Sequence, residues 1–255
     1  MTVMNRKPIN IFWTGGWDST FRLLQLLIIE EKVVQPHFVV RAQPSVGYEI
    51  NTMINIRRQI FRRYPGLRDM LLPTKYIDIR EIDKDTDISE CLKEINNFHY
   101  LANQYQFLAS YCKQNLIKDI ELSIESHRYV GNKIFIFIAE NLSNNNGIPF
   151  KLEQKEYESE LKNLTCKLFQ YFKFPIIHLT KMEMRKYAQE YEFDAILGLA
   201  WFCATPWRGK PCGFCGPCIG AIKKGFPNKI PLFRRLLSRV HLPLRSFYRK
   251  NFKNY

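Results

Sequence analysis

Short apolar runs alternate with amphipathic segments along the first two hundred residues. The runs contain many β-branched and aromatic residues and stop at glycine, proline or asparagine, which is typical of β-strands. The predicted strands cover residues 8–14, 37–40, 76–79, 119–124 and 174–179. The first predicted helix begins near Ser19, and the others cover residues 48–63, 98–115, 152–172 and 181–191. Alternation of this kind favours an α/β fold with a mostly parallel sheet.

The predicted helix at 181–191 has a recognisable start. Thr180 occupies the N-cap position and Glu183 follows three residues later, which is the spacing of a capping box. Lys181 therefore falls in the first turn of this helix.

Composition indicates a folded protein. The chain has 255 residues, of which 46% are apolar, and this is enough to bury a substantial core. It has no run of about 18 apolar residues and no apolar N-terminal leader, so we expect a cytoplasmic protein without a transmembrane segment.

Positive charge is concentrated at the C-terminal end. The formal net charge is +14, and residues 195–255 contain twelve lysines and arginines but no acidic residue. The last part of this stretch, residues 226–255, forms a basic extension that is compatible with binding to an anionic partner such as RNA, an acidic protein or a lipid surface. A helix that packs on the core with solvated basic side chains is an equally good interpretation.

The first candidate site is the sequence TGGWDS, which joins the first predicted strand to the first predicted helix. The glycine pair permits a sharp turn, and backbone N–H groups at such a turn and helix start can hold an anion. Thr14 and Ser19 can add hydroxyl hydrogen bonds, and Asp18 can hold Mg²⁺ beside a phosphate. The competing interpretation is a glycine turn in which Asp18 only caps the helix.

The second candidate site is a group of four cysteines with the spacing C-x8-C-x2-C-x2-C. Its members are Cys203, Cys212, Cys215 and Cys218. Four thiolates so close together suit a closed, tetrahedral Zn²⁺ site with a structural role, and an iron–sulfur cluster is the alternative. The remaining cysteines, Cys91, Cys112 and Cys166, are predicted to be small core residues.

TGGWDS resembles the S-G-G-x-D-S loop of the PP-loop ATP pyrophosphatases, with Thr14 in place of the first serine. The resemblance implies a Rossmann-like, mostly parallel sheet with helices on both faces. It also implies that residues Thr14, Gly15, Gly16, Trp17, Asp18 and Ser19 bind ATP. In that family the loop grips the pyrophosphate while a substrate oxygen attacks the α-phosphate.

The loop and the cysteine group together resemble the 7-cyano-7-deazaguanine synthases. Residues 175–184 (PIIHLTKMEM) and 200–203 (AWFC) are similar to two further elements of that family. The resemblance implies an enzyme that activates 7-carboxy-7-deazaguanine with ATP and converts it with ammonia to an amide and then a nitrile. The resemblance implies that Asp18, Ser19 and Lys181 are catalytic residues. It also implies ATP, Mg²⁺ and Zn²⁺ as cofactors and a homodimer as the assembly.

Several family elements are replaced. The tyrosine-rich segment expected after Ile124 is residues 125–129 (ESHRY) here, and Asn103-Gln104 stands where an arginine–asparagine pair is expected. A further family element, expected after the second predicted strand, is reduced here to Gln43 and Glu49. A substrate pocket that differs from that of the synthases would also suit a paralogue that joins a deazaguanine to a protein acceptor. His127 and Arg128 are candidate substrate contacts.

A hypothesis of a different class is a nucleic-acid-binding or tRNA-modifying protein, which would use the basic extension. The predicted organisation has three parts. These are an ATP-binding α/β domain at residues 1–200, the cysteine segment at 201–225 and the basic extension at 226–255.

Overall fold

The computed structural model describes residues 7–126, 133–141, 156–223, 225 and 229–238. Its strands are β1 (Ile9–Phe12), β2 (Val34–Val40), β3 (Lys75–Asp78), β4 (Ile120–Glu121) and β5 (Phe172–Lys173). Its helices are α1 (Trp17–Leu24), α2 (Val46–Arg63), α3 (Thr86–Phe98), α4 (Gln104–Gln114), α5 (Lys133–Asn141), α6 (Glu156–Phe169), α7 (Lys181–Glu190), α8 (Asp194–Leu197) and α9 (Gly216–Lys223). A π-helical turn, Gln25–Ile29, extends α1.

The five strands form one sheet in the order β3-β2-β1-β4-β5, and every pairing is parallel. The chain adds strands outward on one side of β1 and then crosses to its other side with β4. This confirms the predicted α/β class with a parallel sheet. The strand order reverses between β1 and β4, and crevices at such a point are where open parallel sheets bind ligands.

Both faces of the sheet are covered, because neighbouring strand residues point into different cores. Ile11 and Phe38 pack with α1, α2, α7 and α8 on one face. Phe12 and Val39 pack with α3, α4, α5 and α6 on the other. Strands buried on both faces explain the continuous apolar runs in the sequence, where a half-exposed strand would alternate polar and apolar residues.

The strand predicted at residues 174–179 is wrong. The fifth strand lies just before it, at Phe172–Lys173, and Pro175 follows it. The backbone N–H of Ile177 donates to the Phe174 carbonyl and that of Leu179 to the Ile176 carbonyl, so the segment is a pair of turns. Its apolar residues are nevertheless buried, since Ile176 and Ile177 enter opposite cores.

The helix predicted over residues 98–115 is α4, which begins only at Gln104, and α3, which ends at Phe98, was missed. Helix α3 carries a clear signal, because Asp85 caps its N-terminus through the Ile88 N–H and its buried residues follow the helical period. The remaining predicted helices are present with shifted ends.

A buried ion pair joins α1 to the sheet. Arg22 donates to both carboxylate oxygens of Glu121 on β4, at 2.7 and 2.8 Å, and both side chains are 7% exposed. The guanidinium also contacts Gln25 and Glu30. These carboxylates raise the pKa of Arg22, although its burial acts in the opposite direction. The pair fixes the helix that follows the TGGWDS loop to the strand across the switch point.

Among the described residues, no helix is long and apolar enough to span a membrane. The division into three parts at residues 200 and 225 stays a prediction.

Replacing Arg22 with Met is expected to lower the free energy of unfolding by about 3–5 kcal/mol, because it leaves the Glu121 carboxylate buried and unpaired. The double replacement Arg22→Met with Glu121→Leu is expected to recover much of that loss. Urea unfolding of the single and double variants measures both values. The control is Arg63→Met, which removes an exposed pair with Glu192 and is expected to cost less than about 1 kcal/mol. A double variant no more stable than Arg22→Met would contradict this account.

Candidate functional site

The TGGWDS loop turns sharply at the carboxyl end of β1. Gly15 has a φ of +67°, a conformation that residues with a Cβ rarely adopt. A Cβ there would also lie 3.2 Å from the Glu49 carbonyl oxygen and from the Met53 side chain of α2. Gly16 is extended and forms the N-cap of α1. The glycine pair therefore brings the loop directly against α2 and turns its backbone into the start of a helix.

The two hydroxyl side chains of the loop lie together. Thr14 Oγ1 and Ser19 Oγ are 3.4 Å apart, and Thr14 Oγ1 accepts from the Gly16 N–H at 3.3 Å. Ser19 Oγ also donates to the Gly16 carbonyl at 3.4 Å. These hydrogen bonds are all long, so a stronger acceptor at the mouth of the loop could replace them at little cost.

Lys181 meets Asp18 at this loop, although 163 positions separate them in the sequence. Lys181 Nζ lies 2.7 Å from Asp18 Oδ1 and 3.0 Å from Oδ2, and 3.6 Å from Glu125 Oε1. The predicted capping box is confirmed, because Thr180 and Glu183 exchange both hydrogen bonds and start α7 at Lys181. One cation and two carboxylates, all mostly shielded from solvent, therefore lie beside the loop.

A cleft of about 280 Å³ opens beside the loop, at the carboxyl ends of β1, β2 and β4. Besides the loop, it is lined by His37, Val39, Arg41, Glu49, Gln104, Phe107, Leu122 and Ser123. Trp17, the first residue of α1, lies in its wall and is half-buried. The cleft lies at the reversal of strand order, where a ligand crevice is expected.

Two polar side chains of the cleft differ in their hydrogen bonding. Ser123 Oγ, just after β4, is buried and has no hydrogen-bond partner among the described residues. His37 is fully engaged, with Nδ1 2.9 Å from the Tyr111 hydroxyl and Nε2 3.0 Å from Asn10 Oδ1. Burial, with a smaller contribution from Lys75, lowers the pKa of His37 to about 4, so its ring is neutral at pH 7. Ser123 is therefore the more available group for a ligand.

Polar residues from the segments that were compared with the synthase family also lie at this cleft. Glu49 and Gln104 line it, and Gln43 donates to the Glu49 carboxylate at 3.2–3.3 Å. His127 and Arg128, the candidate substrate contacts, lie outside the described residues. The basic extension also lies outside them, apart from residues 229–238.

The four predicted cysteines converge. The sulfur atoms of Cys203, Cys212, Cys215 and Cys218 all lie within 4.8 Å of one another. Two of the separations, Cys212 to Cys218 and Cys203 to Cys215, are 3.9 Å. Tetrahedral zinc with Zn–S bonds of about 2.3 Å requires sulfurs about 3.8 Å apart, so the group could hold a metal such as zinc.

Backbone groups around the cysteines favour thiolates. The N–H groups of Phe214 and Cys215 both point at Cys212 Sγ, at 3.3 Å, and the Cys212 N–H points at Cys203 Sγ at 3.2 Å. The pKa of Cys215 is lowered to about 4, chiefly by the Cys218 thiol and further by backbone N–H groups. Burial raises the pKa of Cys203 to about 11, and the Cys215 sulfur raises that of Cys218, so without a metal the group shares its protons unevenly. Gly213, with a φ of +88°, allows this tight knuckle.

The knuckle is held from outside by Arg234. This side chain is 3% exposed, and its Nη1 donates to the carbonyls of Trp207, Lys210 and Pro211 at 2.9–3.1 Å. A Cβ on Gly213 would lie 3.0 Å from the Arg234 carbonyl oxygen, so the two backbones touch. The sequence alone marked Arg234 only as part of a basic tail.

The two candidate sites are physically connected through Trp201. Its backbone N–H donates to the Gly15 carbonyl at 2.8 Å, and its indole N–H donates to the Cys203 carbonyl at 2.8 Å. Tyr48 of α2 stacks on its ring, with centroids 4.9 Å apart. The cysteine segment therefore supports the back of the TGGWDS loop.

Sequence reasoning missed Glu125 and Ser123 as members of the site. Each follows β4, and side chains just after neighbouring parallel strands meet at one edge of the sheet. That rule was the available signal. No protein-family model matches this chain, and no curated protein matches it.

The unfolding free energy is expected to fall by about 2–3 kcal/mol between pH 6.5 and pH 4 on account of His37. Its pKa is about 4 when folded and about 6.5 when unfolded, so the unfolded chain binds more protons in this window. The measurement is urea unfolding at several pH values for wild type and His37→Gln. The difference between the two curves should appear below pH 6.5, while His178→Gln, which alters an exposed histidine, should follow wild type. Parallel wild-type and His37→Gln curves would rule out this assignment.

The purified chain is expected to carry about one metal ion, and Cys215→Ser is expected to lose most of it because a closed site needs all four ligands. Elemental analysis after purification under reducing conditions measures the content, and zinc or iron decides between the two predicted chemistries. Cys166→Ser is the control and should retain the metal, because this cysteine is exposed and not part of the core, contrary to the prediction. Equal metal in both variants would exclude the proposed ligand set.

Proposed function

We propose that this chain is an ATP-dependent carbon–nitrogen ligase of the 7-cyano-7-deazaguanine synthase type, with a Rossmann-like PP-loop domain. The observation that carries the proposal is the pairing of Lys181 with Asp18 at a two-glycine loop between β1 and α1. Both residues belong to elements that resemble the synthase family, and they lie far apart in the chain. The contact between them is therefore support that the separate motifs did not contain.

The shape and charge of the loop suit pyrophosphate. The helix start, the exposed Thr14 hydroxyl and the Lys181 ammonium offer hydrogen bonds and positive charge at one place. Without an anion, the Asp18 and Glu125 carboxylates balance that ammonium. With ATP bound, Lys181 would contact phosphate oxygens and release the Asp18 carboxylate.

Asp18 would then be the residue that holds Mg²⁺, since a carboxylate oxygen is a preferred ligand of this ion. The bound ion would neutralise charge on the leaving pyrophosphate. A half-buried carboxylate beside the helix start is well placed for that ligand.

In the proposed reaction a substrate carboxylate oxygen attacks the α-phosphorus of ATP. The bond to the β-phosphate oxygen breaks, and pyrophosphate leaves toward the loop. Ammonia then attacks the carbonyl carbon of the acyl adenylate, loses a proton and displaces AMP to give an amide. A second activation, in which the amide oxygen attacks ATP and AMP is then eliminated, would give a nitrile. Positioning and charge neutralisation by the loop are the contributions of the protein.

The cleft would hold the nucleotide and the carboxylate substrate side by side. The neutral, fully bonded His37 is unsuited to act as a base, whereas the unpartnered Ser123 hydroxyl is free to bind a ligand. Glu49, which is shared with the family element, and Gln104, which stands where the family has an arginine–asparagine pair, would set the preference for the base. The same site could instead transfer the activated acyl group to an amine of a protein acceptor.

The metal would serve this chemistry indirectly. Four cysteines leave no open coordination position, so the ion would stabilise the segment that carries Trp201. Through the Trp201 hydrogen bond to Gly15, that segment would keep the loop in its binding conformation.

Release of AMP and pyrophosphate is expected when the chain is incubated with ATP, Mg²⁺, 7-carboxy-7-deazaguanine and ammonia. Asp18→Asn is expected to lower kcat/KM by about 100-fold or more, because it removes the carboxylate that would hold Mg²⁺ and with it the neutralisation of charge on the leaving pyrophosphate. Chromatography of AMP and mass spectrometry of the deazaguanine product measure both steps.

The matched control is Asp87→Asn, which alters an exposed carboxylate on α3 and should leave the rate unchanged. An amide without nitrile would favour transfer to another amine, and a protein acceptor would then be sought. AMP release that is the same in Asp18→Asn as in wild type would refute the assignment of the loop.

A further inference from the structure

A second surface of the molecule carries dense positive charge that the proposed reaction does not use. Five arginines lie in the twelve residues from the middle of α2 to the turn that follows it: Arg57, Arg58, Arg62, Arg63 and Arg68. No acidic residue occurs from residue 50 to residue 68. We call these five residues the arginine face. Arg58 and Arg62 lie on the opposite side of α2 from its buried residues, whereas Arg57 and Arg63 lie at the margins of the buried side.

Most of this charge is not neutralised within the protein. Arg57 donates to the carbonyls of Leu71 and Leu72, which are not charged. The carboxylate nearest to Arg63 is that of Glu192, at 3.4 Å across an exposed pair. Within the described part of the chain, Arg58, Arg62 and Arg68 form no ion pair. Such a face attracts an anionic partner.

Aromatic rings are interleaved with the guanidinium groups. Phe61 has the Arg57 guanidinium 5.6 Å and the Arg68 guanidinium 5.8 Å from its ring centre. Tyr76 projects from β3, the edge strand of the sheet, and is 49% exposed. An exposed tyrosine ring beside arginines offers a flat stacking surface next to positive charge.

A groove runs between the arginine face and β3. It has a volume of about 470 Å³, and its walls include Ile54, Arg57, Arg58, Phe61, Pro73 and Tyr76. This volume lies in the range typical of sites that bury a small planar ligand. The groove and the TGGWDS cleft have no lining residue in common.

We propose that this groove binds single-stranded nucleic acid. Unpaired bases can stack on Tyr76 and on guanidinium planes while their phosphates contact Arg58 and Arg68. A duplex would present its phosphates but keep its bases out of reach of the tyrosine, so single strands fit the combination better. The inference does not depend on the ATP reaction, since binding here needs no nucleotide hydrolysis.

Fluorescence anisotropy of a labelled oligouridine of about 15 nucleotides, titrated with the full chain at several salt concentrations, tests the proposal. Arg58→Gln with Arg68→Gln is expected to weaken binding about tenfold and to reduce the slope of log Kd against log salt by about 1.4, for two lost phosphate contacts. Tyr76→Ala is expected to weaken binding several-fold without changing the slope, and Tyr76→Phe to retain binding.

The matched control is Lys93→Gln with Lys118→Gln, which removes two exposed charges from other surfaces. It keeps the basic extension, as the test variants do, and should bind like wild type. Equal loss in the control and arginine variants would overturn the proposal in favour of a general charge effect. Unchanged binding in Tyr76→Ala, equal affinity for a duplex of the same length, or preference for phosphatidylserine vesicles would overturn it as well.

Discussion

The arrangement of the candidate site depends on one close approach, that of the Gly15 backbone to α2. A Cβ on Gly15 would come within 3.2 Å of the Glu49 carbonyl and the Met53 side chain, so the loop rests directly on the helix. In this position its carbonyl accepts from the Trp201 N–H, while the next residue starts α1. A residue other than glycine would be strained at this positive φ and would crowd α2. Glycine at this position therefore suits the meeting of the start of α1, the cysteine segment and α2.

Around that contact, charge is organised in two layers. The Arg22–Glu121 pair is buried and bidentate, and it fixes α1 to β4. The Asp18–Lys181 pair lies one turn nearer the N-terminus of the same helix and is more exposed. The inner pair is costly to break, whereas the outer one can exchange partners with an anion in the cleft. The Arg22–Glu121 pair would hold α1 in place while the Asp18–Lys181 pair exchanges partners, and this combination suits a phosphate site.

Local signals in the sequence were enough for the loop, the capping box at Thr180 and the four cysteines, because each depends on closely spaced residues. The parallel sheet was also predicted, because apolar runs alternate with amphipathic helical segments along the chain. The strand predicted at 174–179 failed because apolar residues that enter opposite cores through turns look the same as a buried strand. The role of Arg234 and the pairing of Lys181 with Asp18 could not be predicted, since both depend on packing between distant segments. Glu125 could have been found from its place just after a strand, because side chains that follow neighbouring parallel strands meet at one edge of the sheet.

The strand order also has a consequence for how the chain folds. Strand β1 ends at Phe12, yet its neighbour β4 begins at Ile120, and the partners of the loop come from Lys181 and Trp201. Parallel pairing between such distant segments requires large loops to close before contacts form, which slows folding. During synthesis the loop would leave the ribosome well before Lys181 and Trp201 and remain incomplete until they had followed. The TGGWDS loop would therefore be made before its partners and be among the last parts to acquire its final surroundings.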